Sequence, residues 1–85
     1  MKLLIEKDAA KRLARDQPKR REAILAALRE IAADPFAHHA NVKPMTGEAD
    51  LFRLRHGDWR VIYRIVRTAD EFRVLAVDTR GGVYK

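Results

Sequence analysis

Leu51-Phe52-Arg53-Leu54-Arg55-His56-Gly57-Asp58-Trp59-Arg60-Val61-Ile62-Tyr63 is the stretch whose reading decides the fold. Apolar and charged residues alternate on both sides of the His-Gly-Asp break, the period-two pattern of two half-buried strands joined by a tight turn. Phe52 and Leu54 then face a core, while Arg53 and Arg55, two positions apart, emerge together on the other face. With His56-Gly57 as a two-residue turn, Arg55 falls opposite Asp58 and Arg53 opposite Arg60, and a three-residue turn shifts that register by one. Like charges directly opposed across two strands are destabilising. A sheet that sets Arg53 beside Arg60 either spreads them into solvent or holds an anion between them.

Working outward, the second strand extends over residues 59–67, and Trp59, Val61, Tyr63 and Ile65 share its core face. A turn at Thr68-Ala69-Asp70 leads to a third strand over 72–78, which Gly81-Gly82 breaks before an extended Val83-Tyr84 tail. Upstream, residues 36–48 read as a long loop punctuated by Pro44 and Gly47. Before it the period is helical. Ile24, Leu28 and Ile31, flanked by Leu25 and Ala32, form one stripe on a helix over 19–33, with Pro18 suited to its first turn. Asp34-Pro35 ends that helix. Asp8 is placed to cap a shorter helix reaching Arg15, with Leu13 as its apolar contact, and Leu3-Leu4-Ile5 reads as a buried first strand. The expected fold is α+β, a single domain over residues 1–85, with an N-terminal strand and a two-helix hairpin packed on a small, mainly antiparallel sheet.

Composition narrows function without choosing it. Of 85 residues, 18 are Lys or Arg and 12 Asp or Glu, giving a net charge of +6 and a pI near 10.2. That balance points to a polyanion or to an acidic protein partner. The absence of cysteine excludes disulfides, thiolate metal sites and thiol nucleophiles, and is compatible with a reduced, cytoplasmic setting. Glu6, Lys7 and Asp8 interrupt the first apolar residues too early for a signal peptide. No apolar run approaches the roughly 20 residues of a membrane span, so no membrane partner is expected. His38-His39 has no spaced carboxylate partner, and neither a metal nor a cofactor is expected.

Arg80 follows the third strand, and Tyr84 places a flat ring near the end of the chain. Arginines recognise phosphate through planar, bidentate contacts, and a ring can stack an unpaired base. Cations around a phosphate also stabilise charge that builds up on it during cleavage. Against this stands an ordinary role: arginines on strand faces are commonly solvated and keep sheet edges from aggregating. Trp59 and Tyr63 read as core residues, and Tyr84 fits packing or stacking equally. His56 is the histidine nearest the arginines, and Asp78 reads as a counter-charge for Arg80 or Arg73.

The 51–63 stretch resembles the pattern of the RelE/ParE superfamily of type II toxins: an aromatic, two alternating basic residues, a turn, then aromatic-Arg-x-x-Tyr. Val74-Leu75-Ala76-Val77-Asp78-Thr79-Arg80-Gly81-Gly82-Val83-Tyr84 is similar to that family's final strand, basic residue and terminal tyrosine. The resemblance spans the chain and implies a RelE-like fold. RelE-like members are ribosome-dependent endoribonucleases that cut messenger RNA by attack of a ribose 2′-hydroxyl on the adjacent phosphate. It nominates Arg53 and Arg55 for the paired basic positions, Arg60 and Arg80 for phosphate-gripping arginines, and Tyr84 for the tyrosine that stacks near the cleaved base. It implies a metal-independent mRNA interferase, with the ribosome and mRNA as targets and an acidic, partly disordered, DNA-binding antitoxin as cognate partner. ParE-like members share the fold and poison DNA gyrase, the alternative function. Two departures stand out. This chain has arginine where the ribonucleases often have lysine, and a group protonated up to a pKa above about 12 is a poor general base. No helix follows Tyr84, which would leave a groove for a partner to fill.

Overall fold

The structure, a computed structural model, describes residues 1–79; Arg80 and Tyr84 lie outside the described residues. The chain runs β1 (Lys2–Ile5), α1 (Lys7–Ala14), α2 (Pro18–Ala33), β2 (Val42–Pro44), β3 (Leu51–His56), β4 (Trp59–Val66) and β5 (Glu71–Thr79). The five strands form one sheet in the order β1-β5-β4-β3-β2. Only β1 is parallel to its neighbour β5; the other pairings are antiparallel. This is the expected α+β, RelE-like arrangement of a strand, a helical hairpin and a mainly antiparallel sheet.

The helical stripe folds as its spacing requires. Ile24, Leu28 and Ile31 are buried, and Pro18 occupies the first turn of α2, where its missing N–H costs nothing. They meet the inner face of the sheet, where Leu54, Trp59, Val61, Tyr63, Ile65, Phe72 and Val74 are buried. Strand alternation puts every second residue of β4 into this core. At its centre the Tyr63 ring stacks on Phe72 at 4.2 Å and on Phe52 at 5.4 Å. A register shift on β4 between Ile62 and Tyr63 leaves an extra residue on β5, so that Val74 and Val77 can both face inward.

Three expectations are corrected. Residues 42–44 are not loop: β2 pairs antiparallel with β3, Val42 opposite Leu54 and Pro44 opposite Phe52. A three-residue edge strand is too short to show a period, and Pro44 is tolerated because an edge strand leaves some N–H groups unused. Glu6, not Asp8, is the residue before α1, and Asp8 instead sits in the first turn, where a carboxylate favours the helix dipole. Asp78 does not balance Arg73: it forms an ion pair with Arg12 at 3.5 Å, while Arg73 pairs with Glu6 and Glu71, each at 3.0 Å; the other expected partner of Asp78, Arg80, lies outside the described residues.

The connection from β2 to β3 is pinned at Asp50. Its backbone is left-handed (φ 56°), its carbonyl accepts the Ile65 N–H at 2.9 Å, and its carboxylate accepts two bonds from Arg67 at 2.7 and 2.9 Å. The Arg67 guanidinium also lies 4.2 Å over the Phe36 ring, tying the loop after α2 to the same point. Hydrogen bonding from Arg67 holds the Asp50 carboxyl below the usual range, and raises the Arg67 guanidinium in return.

The buried tyrosine yields a pH prediction. Tyr63 is fully buried and its hydroxyl has no hydrogen-bond partner among the described residues, so burial alone pushes its pKa up from 10.0 to about 12. The folded protein then holds its proton more tightly than the unfolded chain. Stability is intact below the unfolded value of 10.0 and declines as pH rises through about 12. The loss from this group is expected to be roughly 1–3 kcal/mol. Urea unfolding followed by Trp59 fluorescence between those pH values measures it, and the Tyr63→Phe variant should lack the decline.

No described helix is long and apolar enough to cross a membrane.

Candidate nucleic-acid interface

The face of the sheet opposite the helices carries the arginines. The β3–β4 turn is Gly57-Asp58, with His56 opposite Trp59, so Arg55 stands opposite Arg60 and Arg53 opposite Ile62. The expected pairing of Arg53 with Arg60 is therefore two residues out of register. Gly57 adopts φ 60°, a conformation that favours glycine at the first turn position. Because the slip is an even number of residues, all three arginines still share the outer face.

The register continues into both neighbours. Arg60 is opposite Asp78 on β5, and Arg53 is opposite Lys43 on β2. The outer face thus reads Arg55–Arg60–Asp78 in one row and Lys43–Arg53–Ile62–Ala76 in the next. Arg55 is exposed, Arg53 and Arg60 are half-buried, and neither Arg53 nor Arg55 has an ion pair among the described residues. Lys43 and Asn41 line a shallow depression of about 200 Å³ together with Arg53 and Arg55. Sequence reasoning missed both, because they sat in a segment read as loop. The signal would have been the Val42-Lys43-Pro44 alternation, which three residues do not resolve from chance.

Other sequence candidates fall elsewhere. His56 is in register with the buried Trp59, on the helix side of β3 and facing away from Arg55. The His39 ring donates to the Asp34 carbonyl at 2.7 Å, which anchors the loop after α2. Trp59 and Tyr63 are core residues, as their strand face required. Arg12 crosses the Trp59 ring at 5.7 Å, so α1 brings a further cation to the end of the arginine row. Among the described residues no three His, Asp or Glu side chains are grouped to hold a metal ion.

The sequence profile of the ParE toxin family of type II toxin-antitoxin systems matches residues 6–84, and the chain belongs to that family. No curated protein sequence matches. Among solved structures, the RelE–RelB complex from Pyrococcus horikoshii OT3 superimposes with a TM-score of 0.80 at 25% identity, covering 94% of each chain. The isolated E. coli RelE toxin gives 0.79 at 20% identity, over 92% of this chain and 82% of that one. The YoeB/ParE toxin from Agrobacterium tumefaciens gives 0.77 at 21% identity, over 93% and 98%. The fold shared with these toxins is that of the RelE/ParE superfamily.

Proposed function

We propose that this toxin is an mRNA interferase, a metal-independent endoribonuclease that inhibits translation by cutting messenger RNA on the ribosome. The observation that supports this reading best is the direct cross-strand pairing of Arg55 with Arg60, with Arg53 one step along the same face. A like-charge pair in register is destabilising by itself. It becomes favourable when a phosphate lies between the two guanidinium groups, because each offers a planar pair of N–H donors.

In this reading Arg53, Arg55 and Arg60 bind and polarise the scissile phosphate. Arg80 completes the grip, and Tyr84 stacks on the base beside the cut. All five are protein groups that position and stabilise charge, so pre-organisation carries the rate. The arginines hold and polarise the phosphate, and proton transfer is no part of their role. The partner is a cognate antitoxin, acidic, partly disordered and DNA-binding, whose negative segment folds over the basic face.

The family profile names a ParE toxin, and this favours one other reading, a gyrase poison without nuclease chemistry. Expression in cells separates them. Prompt arrest of translation with transcripts cut at ribosomal positions is the expected result. DNA damage with intact transcripts would sink the ribonuclease.

A further inference from the structure

The depression beside the arginine pair has two lining residues, Asn41 and Lys43, that the phosphate grip does not use. Its walls are Asn41, Lys43, Arg53 and Arg55: three cations and an amide, with no carboxylate and no aliphatic or aromatic residue. Lys43 is exposed and in register with Arg53, and none of the three cations has an ion pair among the described residues. Asn41 holds the left-handed conformation (φ 66°), and its carbonyl accepts the Arg55 N–H at 2.9 Å. Asparagine tolerates that backbone better than other non-glycine residues, and sparsely populated conformations concentrate at binding sites. The bond fixes Asn41 at the margin of the depression.

We infer that Asn41 and Lys43 form, with Arg53 between them and the scissile phosphate, a second anion subsite, which holds a neighbouring phosphodiester of a single-stranded RNA whose scissile phosphate lies at Arg53, Arg55 and Arg60. The inference rests on the ribonuclease reading above. Arg53 and Arg55 are two positions apart on one strand, about 6–7 Å, a step that one nucleotide can bridge. Charge selects the anion. A lysine, an arginine and an amide side by side suit a phosphodiester and the base edge attached to it, which an acidic antitoxin segment does not present. The Asn41 amide offers both a donor and an acceptor, suited to a base edge. Lys43 and Asn41 are thus positioning residues, which set where the strand lies without touching the reacting atoms.

The test is fluorescence anisotropy with a short labelled single-stranded RNA, methylated at its 2′-oxygens so that it cannot be cut, over a range of salt. Lys43→Gln is expected to weaken binding roughly three- to tenfold. It should also lower the log–log salt slope by about 0.7, the signature of one lost phosphate contact on a single strand. Asn41→Gly keeps the backbone conformation and should weaken binding with no change of slope. Lys19→Gln, which removes the same charge at the exposed start of α2, should change neither quantity. Equal effects from Lys43→Gln and Lys19→Gln, with Arg55→Ala/Arg60→Ala still weakening binding, would overturn the subsite and leave the ribonuclease reading standing. No RNA binding by the parent protein would overturn both. An acidic peptide whose binding depends on Lys43, where RNA binding does not, would overturn it in favour of a protein partner.

Discussion

The Arg55→Ala/Arg60→Ala variant is expected to fold and to lack the growth arrest expected of the parent protein. In the proposed ribonuclease each guanidinium contributes hydrogen bonds aimed at charge that develops only during cleavage. Removing one such donor costs about 10²–10³ in rate, and two that act together should leave no cleavage detectable above background. Stability should move the other way. The two arginines face each other across β3 and β4, and relieving a like-charge pair is worth roughly 0.2–1 kcal/mol. Asp78, in register with Arg60 on β5, already offsets part of the repulsion, so the low end of that range is expected. Thermal unfolding by circular dichroism and primer extension on a reporter transcript together decide the matter. A folded double variant that still arrests growth and still cuts transcripts would remove both arginines from the site.

Phe72→Ala should lose function for a different reason. Phe72 is fully buried, lies against the Tyr63 ring at 4.2 Å, and sits on the strand that joins β1 to β4. Truncating a buried phenylalanine costs roughly 3–5 kcal/mol. A domain of 85 residues has about 4–13 kcal/mol in total, so much of its stability would go. Trp59, the single tryptophan and itself buried, reports the transition directly. The expected result is a urea midpoint lowered by roughly a quarter or more, with toxicity falling in step with soluble protein. A shift below about 1 kcal/mol would mean that the aromatic stack is not the keystone of the core.

Most of the architecture was legible from residue spacing. The Ile24-Leu28-Ile31 stripe fixed the long helix, and the Trp59-Val61-Tyr63-Ile65 alternation fixed the central strand, because in each case one face had to be buried. What escaped had physical reasons. A hairpin turn at His56-Gly57 and one at Gly57-Asp58 put the same residues inside, since a slip of two preserves the alternation; burial therefore could not choose between them. The choice follows from Gly57 taking the positive φ at the first turn position. β2 was hidden because its three residues, one a proline, gain their order from pairing with β3 and not from any preference of their own. Asn41 and Lys43 were hidden with it. The ion pairs of Asp78 and Arg73 depend on where α1 and β1 approach β5, which no local pattern records. Arg80 and Tyr84 enter the proposed site through the family pattern and lie outside the described residues.

The strict alternation along β3 and β4 has an evolutionary consequence. Leu54, Val61 and Tyr63 are committed to the interior, whereas Lys43, Arg53, Arg55, Arg60 and Ile62 belong to the opposite face of the sheet. Inheritance can therefore rewrite one set without disturbing the other. A change of target by exchange of a handful of outward residues would then leave the buried set in place. A library randomised at those five outward positions should yield mostly folded proteins, and it is there that new specificities would arise.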